Sequence, residues 1–177
     1  MAPDPHRELQ IRAARLEDLP EIDAIYNHYV ATSTCTFQIA PGTIQDRRAW
    51  FDEHGDAHPI LVAVEHGPPE RAVIGWASLS AYKSREGYAR TVELSVYIRD
   101  DKRGSGLGRR LVASLLDRAH ALGHHVVIGT VACDQPESIG LHKALGFREA
   151  GRLREVGFKF GKWIDCVVFE RVFEQSA

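Results

Sequence analysis

The residues best suited to chemistry lie in two neighbouring stretches. The first is Arg103-Gly104-Ser105-Gly106-Leu107-Gly108-Arg109. It follows an apolar run from Val92 to Ile98 and opens a segment of helical periodicity: Leu107, Leu111, Val112, Leu115, Leu116, Ala119 and Leu122. A strand, a glycine-rich turn and a helix in that order aim backbone N–H groups at an anion. The glycines let the backbone come close, and the helix N-terminus adds about half a positive charge. The second is Glu93, an acid inside that apolar run. Alternation along a strand would by itself turn it to water; a carboxylate at a half-buried position is also placed to take up a proton.

The elements that must hold these residues can be read in order. Leu9 to Ala13 reads as a first strand. Asp18 and Pro20 start a helix with an apolar face of Ile22, Ile25, Tyr26 and Tyr29. Thr32 to Pro41 is a loop. Thr43 to His54 is a second helix, with Thr43 as cap, Asp46 three residues on and Gly55 as the stop. Ile60 to Glu65 and Val73 to Leu79 make two antiparallel strands around a Gly67-Pro68-Pro69 turn. The polar loop Lys83 to Arg90 leads into the strand Thr91 to Ile98, and the long helix that follows stops at Gly123. Val126 to Val131 is a further strand, and a short helix runs from Pro136 to Gly146. Two alternating stretches, Glu149–Val156 and Trp163–Val172, close the chain around the connection Gly157 to Lys162. The fold class is α/β, a mixed sheet with helices packed on it, in the order β-α-α-β-β-β-α-β-α-β-β.

Composition narrows the function. At 177 residues one domain is expected, spanning residues 9–173 behind a loose tail of residues 1–8. The formal net charge of −2 gives no sign of a nucleic-acid partner, and no apolar run approaches the roughly 20 residues of a membrane span. The N-terminus has no apolar signal core, and the three cysteines, Cys35, Cys133 and Cys166, form no Cys-x-x-Cys pair. Reduced thiols in a cytoplasmic protein follow from this, and no metal is expected.

Two familiar phosphate loops do not fit the glycine turn. No Gly-x-x-x-x-Gly-Lys-Ser/Thr run exists, and Gly-x-Gly-x-x-Gly fails because Arg109 and Leu111 stand where its third glycine belongs. Arg-Gly-x-Gly-x-Gly resembles instead the pyrophosphate loop of the GCN5-related N-acetyltransferases (GNAT). Ser138 to Phe147 resembles that superfamily's second acetyl-CoA motif. More narrowly, Ile25-Tyr26-Asn27, Thr91-Val92-Glu93-Leu94-Ser95-Val96-Tyr97-Ile98, Gly123-His124-His125-Val126, Leu141-His142 and Val156 to Asp165 resemble the phosphinothricin and methionine sulfoximine acetyltransferase family. The resemblance covers the chain from about Ile11 to Phe173.

The resemblance implies an acetyl-CoA-dependent N-acetyltransferase acting on the α-amine of a small amino-acid-like substrate, working as a homodimer. Only a neutral amine can attack a thioester, so the reaction needs a base, and the family's lies at Glu93. His142 stands where many members carry the tyrosine that protonates the leaving thiolate; it is either that acid or a contact near the cofactor sulfur. Gly104, Ser105, Gly106, Leu107, Gly108 and Arg109, with Arg103, would hold the pyrophosphate. The strand backbone at Val96, Tyr97 and Ile98 would pair with the pantetheine arm, as would Gln135, which replaces the family's asparagine, and Ser138. Lys83, Ser84 and Arg85 would bind the substrate's acidic group beside Glu93, Leu94 and Ser95. Tyr26, Phe37, Phe160 and Trp163 are candidate walls of the acceptor pocket. The family commonly reads Tyr-Arg-x-Thr-Val-Glu; here Tyr88-Ala89-Arg90-Thr91 displaces the arginine by one residue. Two other readings stay open: a GNAT acetylating a protein N-terminus or polyamine, and a non-catalytic acyl-CoA-binding module.

Overall fold

The structure, a computed structural model, describes residues 8–67 and 71–174. The expected tail therefore lies outside the described residues except for Glu8, which opens the first strand, and so do Pro68 and Pro69 of the expected turn. Eleven main elements follow in the expected order. They are β1 (Glu8–Ala13), α1 (Leu19–Thr32), α2 (Ile44–Glu53), β2 (Ile60–His66), β3 (Ala72–Ala81), β4 (Thr91–Ile98), α3 (Leu107–Ala121), β5 (Val126–Ala132), α4 (Pro136–Ala144), β6 (Arg148–Lys159) and β7 (Lys162–Val172). The strands form one seven-stranded sheet, β1-β2-β3-β4-β5-β7-β6. Every neighbouring pair is antiparallel except β4 and β5.

Two apolar layers sandwich the sheet because strand residues alternate between its faces. On one face Leu107, Leu111, Leu115 and Ala119, spaced as one helical stripe of α3, pack on Ala77, Leu79, Val92, Leu94 and Val127. On the other, Leu19, Ile22, Ile25 and Tyr29 of α1 cover Val62, Val64, Val73 and Trp76. No helix among the described residues is long and apolar enough to cross a membrane.

The feature that matters for the site is where the parallel pair stops. β4 and β5 are in register for three residue pairs only, from Thr91 with Val126 to Glu93 with Ile128. Both strands continue, β4 to Ile98 and β5 to Ala132, so they part immediately after Glu93. β4 stays paired on its other edge with β3 as far as Ile98.

Two local expectations change. Asp18 precedes α1, but its side chain does not cap the helix. The fully buried carboxylate instead takes two bonds from Arg12 at 2.7 and 2.9 Å, one from Arg71 at 2.8 Å and the Arg15 N–H at 2.8 Å. Burial alone would raise its pKa; the Arg12 hydrogen bond and the neighbouring positive charges hold it below the ordinary carboxylate value. The Gly157–Lys162 connection shrinks to the two-residue turn Phe160-Gly161, and Gly157, Phe158 and Lys159 belong to β6. Both turn residues have positive φ, 52° and 74°, which gives the tight hairpin form whose twist matches the flanking strands. The capping box of α2 is as expected: Asp46 N–H donates to Thr43 Oγ1 at 3.2 Å, and Asp46 Oδ2 accepts from Thr43 N–H at 2.8 Å.

Candidate active site

The parting strands open a cleft of about 740 Å³ on the side of the glycine turn. Val96, Tyr97, Ile98, Arg103, Gly104, Gly106, Leu107, Gly108, Arg109, Gln135 and Ser138 all line it, together with Tyr29, Glu137 and Leu141. Ser105 stands in the same turn, its hydroxyl donating to the Lys102 carbonyl at 2.7 Å. Gly104 and Gly106 have φ of 73° and 78°, a conformation that turns successive N–H groups to one side. A Cβ built on either would meet nothing within 4 Å, so the space above them is open. No side chain caps α3, which leaves the N–H groups of its first turn without acceptors inside the helix. Arg103 lies 3.5 Å from Asp100 and 3.9 Å from Glu137, a loose pairing in which an anionic ligand can compete. The donor set fits a pyrophosphate.

The wall of this cleft is an unpaired strand edge. Tyr82 N–H donates to Thr91 O and Arg99 N–H to Ile74 O, so the odd-numbered residues of β4 exchange bonds with β3. The even-numbered residues Leu94, Val96 and Ile98 then turn their N–H and C=O groups to the gap. Tyr97 lines the cleft, but its backbone belongs to the β3 ladder, which corrects the expectation of a run of three pairing residues. Leu94 likewise offers only backbone; its side chain is buried in the α3-side core. The Ile98 carbonyl is taken by the Tyr29 hydroxyl at 2.5 Å, and burial pushes that hydroxyl's pKa up to about 12, keeping it a donor.

Glu93 stands at the fork itself. Its Oε1 accepts from Thr130 Oγ1 on β5 at 3.1 Å, across the opening strands. Directly opposite on β3 is Ser80, and the next pairs on the same face are Ser78 with Ser95 and Trp76 with Tyr97. A second cavity of about 210 Å³ lies over that face, between the sheet, α1 and α2, lined by Tyr26, Arg47, Trp50, Trp76, Ser78 and Ser95 among others. Glu93 itself lines neither cavity; Ser95, two residues on, lines the smaller one, Val96 lines the cleft, and Tyr97 lines both.

His142 is placed differently from both expectations. It is 4% exposed, stacked on Phe169 with ring centroids 5.2 Å apart, and does not line the cleft. Its neighbour is Gly129: a Cβ there would lie 2.4 Å from His142 Nε2, so only glycine admits the ring. Nδ1 lies 2.8 Å from the Ser138 carbonyl, which can only accept, so Nδ1 carries the proton. Burial lowers the imidazole pKa, and Nε2 has no partner among the described residues. With Nδ1–H on the Ser138 carbonyl and Nε2 bare, the ring as placed presents no proton to the cleft.

The loop Lys83-Ser84-Arg85 is exposed and lines neither cavity. It enters β4 from the end at which β4 and β5 are still paired, and Lys83 Nζ lies 4.7 Å from the centroid of the Tyr82 ring and 5.2 Å from that of Tyr88. Of the candidate acceptor walls, Tyr26 lines the smaller cavity, while Phe37, Phe160 and Trp163 are exposed.

Several residues escaped the sequence reading. Arg47 is buried, with its guanidinium 4.4 Å from the Tyr26 ring centroid and 4.8 Å from that of Trp50. Its position three residues before Trp50 and four before Phe51 put it on the inward stripe of α2. Lys159 is 2% exposed and donates to the Ser33 and Thr36 carbonyls at 2.7 and 2.8 Å; burial lowers its pKa. Gln135 Nε2 donates to Thr34 Oγ1 at 2.8 Å, and Thr34 in turn to Asp134 at 2.7 Å. These bonds tie the loop between α1 and α2 to the mouth of the larger cleft. No local signal announces them, since they join residues 100 or more positions apart. The histidine pairs His54/His58 and His120/His124 have a spacing that can bind metal on a helix. Here His54 ends α2 with Nδ1 on the Trp50 carbonyl, and His58 stacks on His124. Among the described residues no group of three His, Cys, Asp or Glu side chains is placed to hold a metal ion.

Comparison with known proteins agrees with this geometry. Residues 11–168 match the acetyltransferase (GNAT) domain family. An L-methionine sulfoximine/L-methionine sulfone acetyltransferase of Pseudomonas aeruginosa is 44% identical over 90% of this chain and 92% of its own length. A phosphinothricin N-acetyltransferase of Streptomyces coelicolor is 36% identical over 93% and 96%. The crystal structure of a phosphinothricin acetyltransferase from Sinorhizobium meliloti in complex with acetyl-CoA superposes with a TM-score of 0.87 at 34% identity, covering 93% of this chain and 88% of that one. The forked sheet, the glycine turn and these relatives together make the chain a GNAT N-acetyltransferase of the phosphinothricin and methionine sulfoximine acetyltransferase family.

Proposed function

We propose that the chain transfers the acetyl group of acetyl-CoA to the α-amine of a small amino acid of the phosphinothricin, methionine sulfoximine or methionine sulfone type. The observation that carries this is the course of one strand, β4, which has the acid Glu93 at the fork with β5, Ser95 in the aromatic cavity and Val96 in the donor-rich cleft. The glycine turn and the first turn of α3 hold the pyrophosphate, with Arg103 and Arg109 adding charge. The free edge of β4 at Leu94 and Val96 pairs with the pantetheine arm and polarises the thioester carbonyl. Gln135 and Ser138 complete that wall. Glu93 takes the proton of the attacking amine as the C–N bond forms; the C–S bond breaks, and the thiolate is protonated by water. Thr130 fixes the carboxylate in place for this. Lys83, Ser84 and Arg85 take the acceptor's carboxylate at the closed end of the fork, Arg85 through its bidentate guanidinium.

Support for the small-molecule acceptor comes from the limited size of the aromatic cavity and from the substrates for which the relatives are named. The test is thiol release from acetyl-CoA with L-phosphinothricin, L-methionine sulfoximine, L-methionine sulfone, ordinary amino acids, a peptide and a polyamine. Turnover is expected on the oxidised amino acids at least tenfold above the peptide and polyamine. The reverse order would move the protein to another acceptor class, and acetyl-CoA binding without any turnover would make it a binding module.

We also propose that residues 9–173 work as one domain, in the cytoplasm, as a homodimer. The β6–β7 hairpin exposes Val156, Phe158, Phe160 and Trp163, each more than half accessible. A cluster of that kind on a surface marks an interaction site. Light scattering should give about twice the chain mass of 19.8 kDa. A monomer at micromolar concentration would end this proposal.

A further inference from the structure

Every turnover of the proposed reaction leaves a proton behind. The acceptor arrives as an ammonium ion and departs as an amide, while the thioester departs as a thiol, so one proton per acetyl group must reach solvent. Glu93 takes it first. With the donor in the cleft and the acceptor in the smaller cavity, the openings along β4 are filled. The remaining neighbour of Glu93 is β3, where Ser80 is its direct partner. Opposite residues of an antiparallel pair share a face, with Cβ atoms about 4.5–5.5 Å apart, a gap that one water spans.

Ser80 leads away from the site. Its Oγ lies 3.2 Å from Nε2 of His54, the residue that ends α2. The other ring nitrogen, Nδ1, lies 2.6 Å from the Trp50 carbonyl, which only accepts, so Nδ1 carries the proton of the neutral ring. Nε2 is then an acceptor, the Ser80 hydroxyl donates to it, and the lone pairs of Ser80 Oγ remain to accept a further proton. The ring packs against Trp50 with centroids 4.5 Å apart, and burial lowers its pKa, which keeps it neutral at rest. His54 also lines a third cavity, of about 410 Å³, with Phe51, Asp56, His58 and Arg118. Gly55 and Asp56 in its wall are exposed, so it opens to water, and it shares no lining residue with either substrate site. The charges around His54 are mixed: Arg47 and Glu53 on α2, Asp56 and His58 just beyond it, and Arg118 across the cavity. His58 in turn stacks on His124.

Resting on the function proposed above, we propose that Ser80 and His54 form the outlet through which Glu93 gives up its proton between turnovers. The proton passes from the Glu93 carboxyl, over one water, to Ser80 Oγ as the Ser80 hydroxyl proton moves to His54 Nε2. The carboxylate is restored, and His54 becomes an imidazolium. A turn of the ring into the third cavity brings Nε2 to water, which takes the proton, and the neutral ring returns to Ser80. One proton enters and one leaves, and neither side chain touches a substrate.

The experiment measures kcat in the full-length wild type, His54→Phe, Ser80→Ala and the double variant, with both substrates saturating. Imidazole is varied at constant pH and ionic strength, and the N-acetylated product is measured directly. Phenylalanine keeps a ring against Trp50 but accepts no proton, and alanine removes only the hydroxyl. At low imidazole kcat should fall about tenfold in each single variant, with both KM values unchanged, as expected when proton transfer loses a positioned group. The double variant should fall no further, because both residues lie on one path. Rising imidazole should restore kcat in His54→Phe and leave the wild type unmoved. Losses that imidazole does not restore, or that add in the double variant, would mean a packing role and overturn the outlet. Wild-type kcat in both single variants would overturn it too, and Ser80→Ala keeps the test open if His54→Phe misfolds. Glu93→Gln is the control for the proposed function. Full activity in that variant would remove the base and the outlet together, whereas an inactive Glu93→Gln beside fully active His54→Phe and Ser80→Ala would remove the outlet alone.

Discussion

Replacing Glu93 by glutamine should lower kcat/KM for the amine about a hundred- to ten-thousandfold while leaving acetyl-CoA affinity unchanged. Glutamine has nearly the same shape, and its amide oxygen can still accept from Thr130 Oγ1, which now lies 3.1 Å from Glu93 Oε1. The strand pairs on either side are unaffected, so the fork survives the change. What disappears is the one group at that point able to take a proton from the attacking nitrogen. A base role also has a signature that a structural role lacks. Activity of the variant should climb with pH as the amine loses its proton to solvent, so the deficit narrows in alkaline buffer. A pH–rate profile of wild type and variant, with acetyl-CoA binding measured by calorimetry, reads both effects. A deficit equal at every pH, or full activity in the variant, would remove Glu93 from the chemistry.

The second large effect concerns the donor alone. Gly106→Val should weaken acetyl-CoA binding about a hundredfold with little change in thermal stability. Gly106 has φ of 78°, where a β-branched residue is strained by about 1–3 kcal/mol. The loop relieves that strain by leaving the conformation that aims its N–H groups into the cleft. If it does not move, the valine methyl groups occupy the open space above the turn, where the phosphates belong. Because no protein atom lies within 4 Å of the added Cβ, the fold has nothing to clash with. Calorimetry with coenzyme A separates this from a general loss of fold. Unchanged affinity would mean that the pyrophosphate is held elsewhere.

How much of this could be read from the sequence depends on how local each signal is. The bounds of β4, Thr91 to Ile98, coincide with the expected strand because a β-branched run between polar neighbours is a short-range pattern. The glycine turn and the capping box at Thr43 are equally local, each set within a few residues. Asp18 was misread for the opposite reason. Its place before Leu19 suits a cap, but arginines 6 positions before it and 53 after it claim the carboxylate. The extent of β6 was underestimated because Gly157 looks like a turn residue. It is a glycine because the Phe37 ring occupies the place of its side chain, a Cβ coming within 2.4 Å of it. His142 was assigned to the cleft by the pattern of its motif. Its burial depends on Gly129 in another strand and on Phe169 near the C-terminus, neither visible from the helix that carries it. Arg47 shows the limit most clearly. An arginine between a capping box and a tryptophan reads as a surface charge until three aromatic rings from α1, α2 and β3 are found around it.

The loop between α1 and α2 is fastened at Ser33, Thr34, Thr36 and Phe37, while Gln38 to Pro41 stay exposed. This divides the loop into two parts that can diverge at different speeds. The fastened half meets Gln135 and Lys159, so a substitution there disturbs the donor cleft as well as the hairpin. The loose half borders the acceptor cavity and nothing that holds the donor. Descendants of such a protein can acquire new acceptors by altering a few exposed residues, while the machinery for the acyl donor is inherited intact.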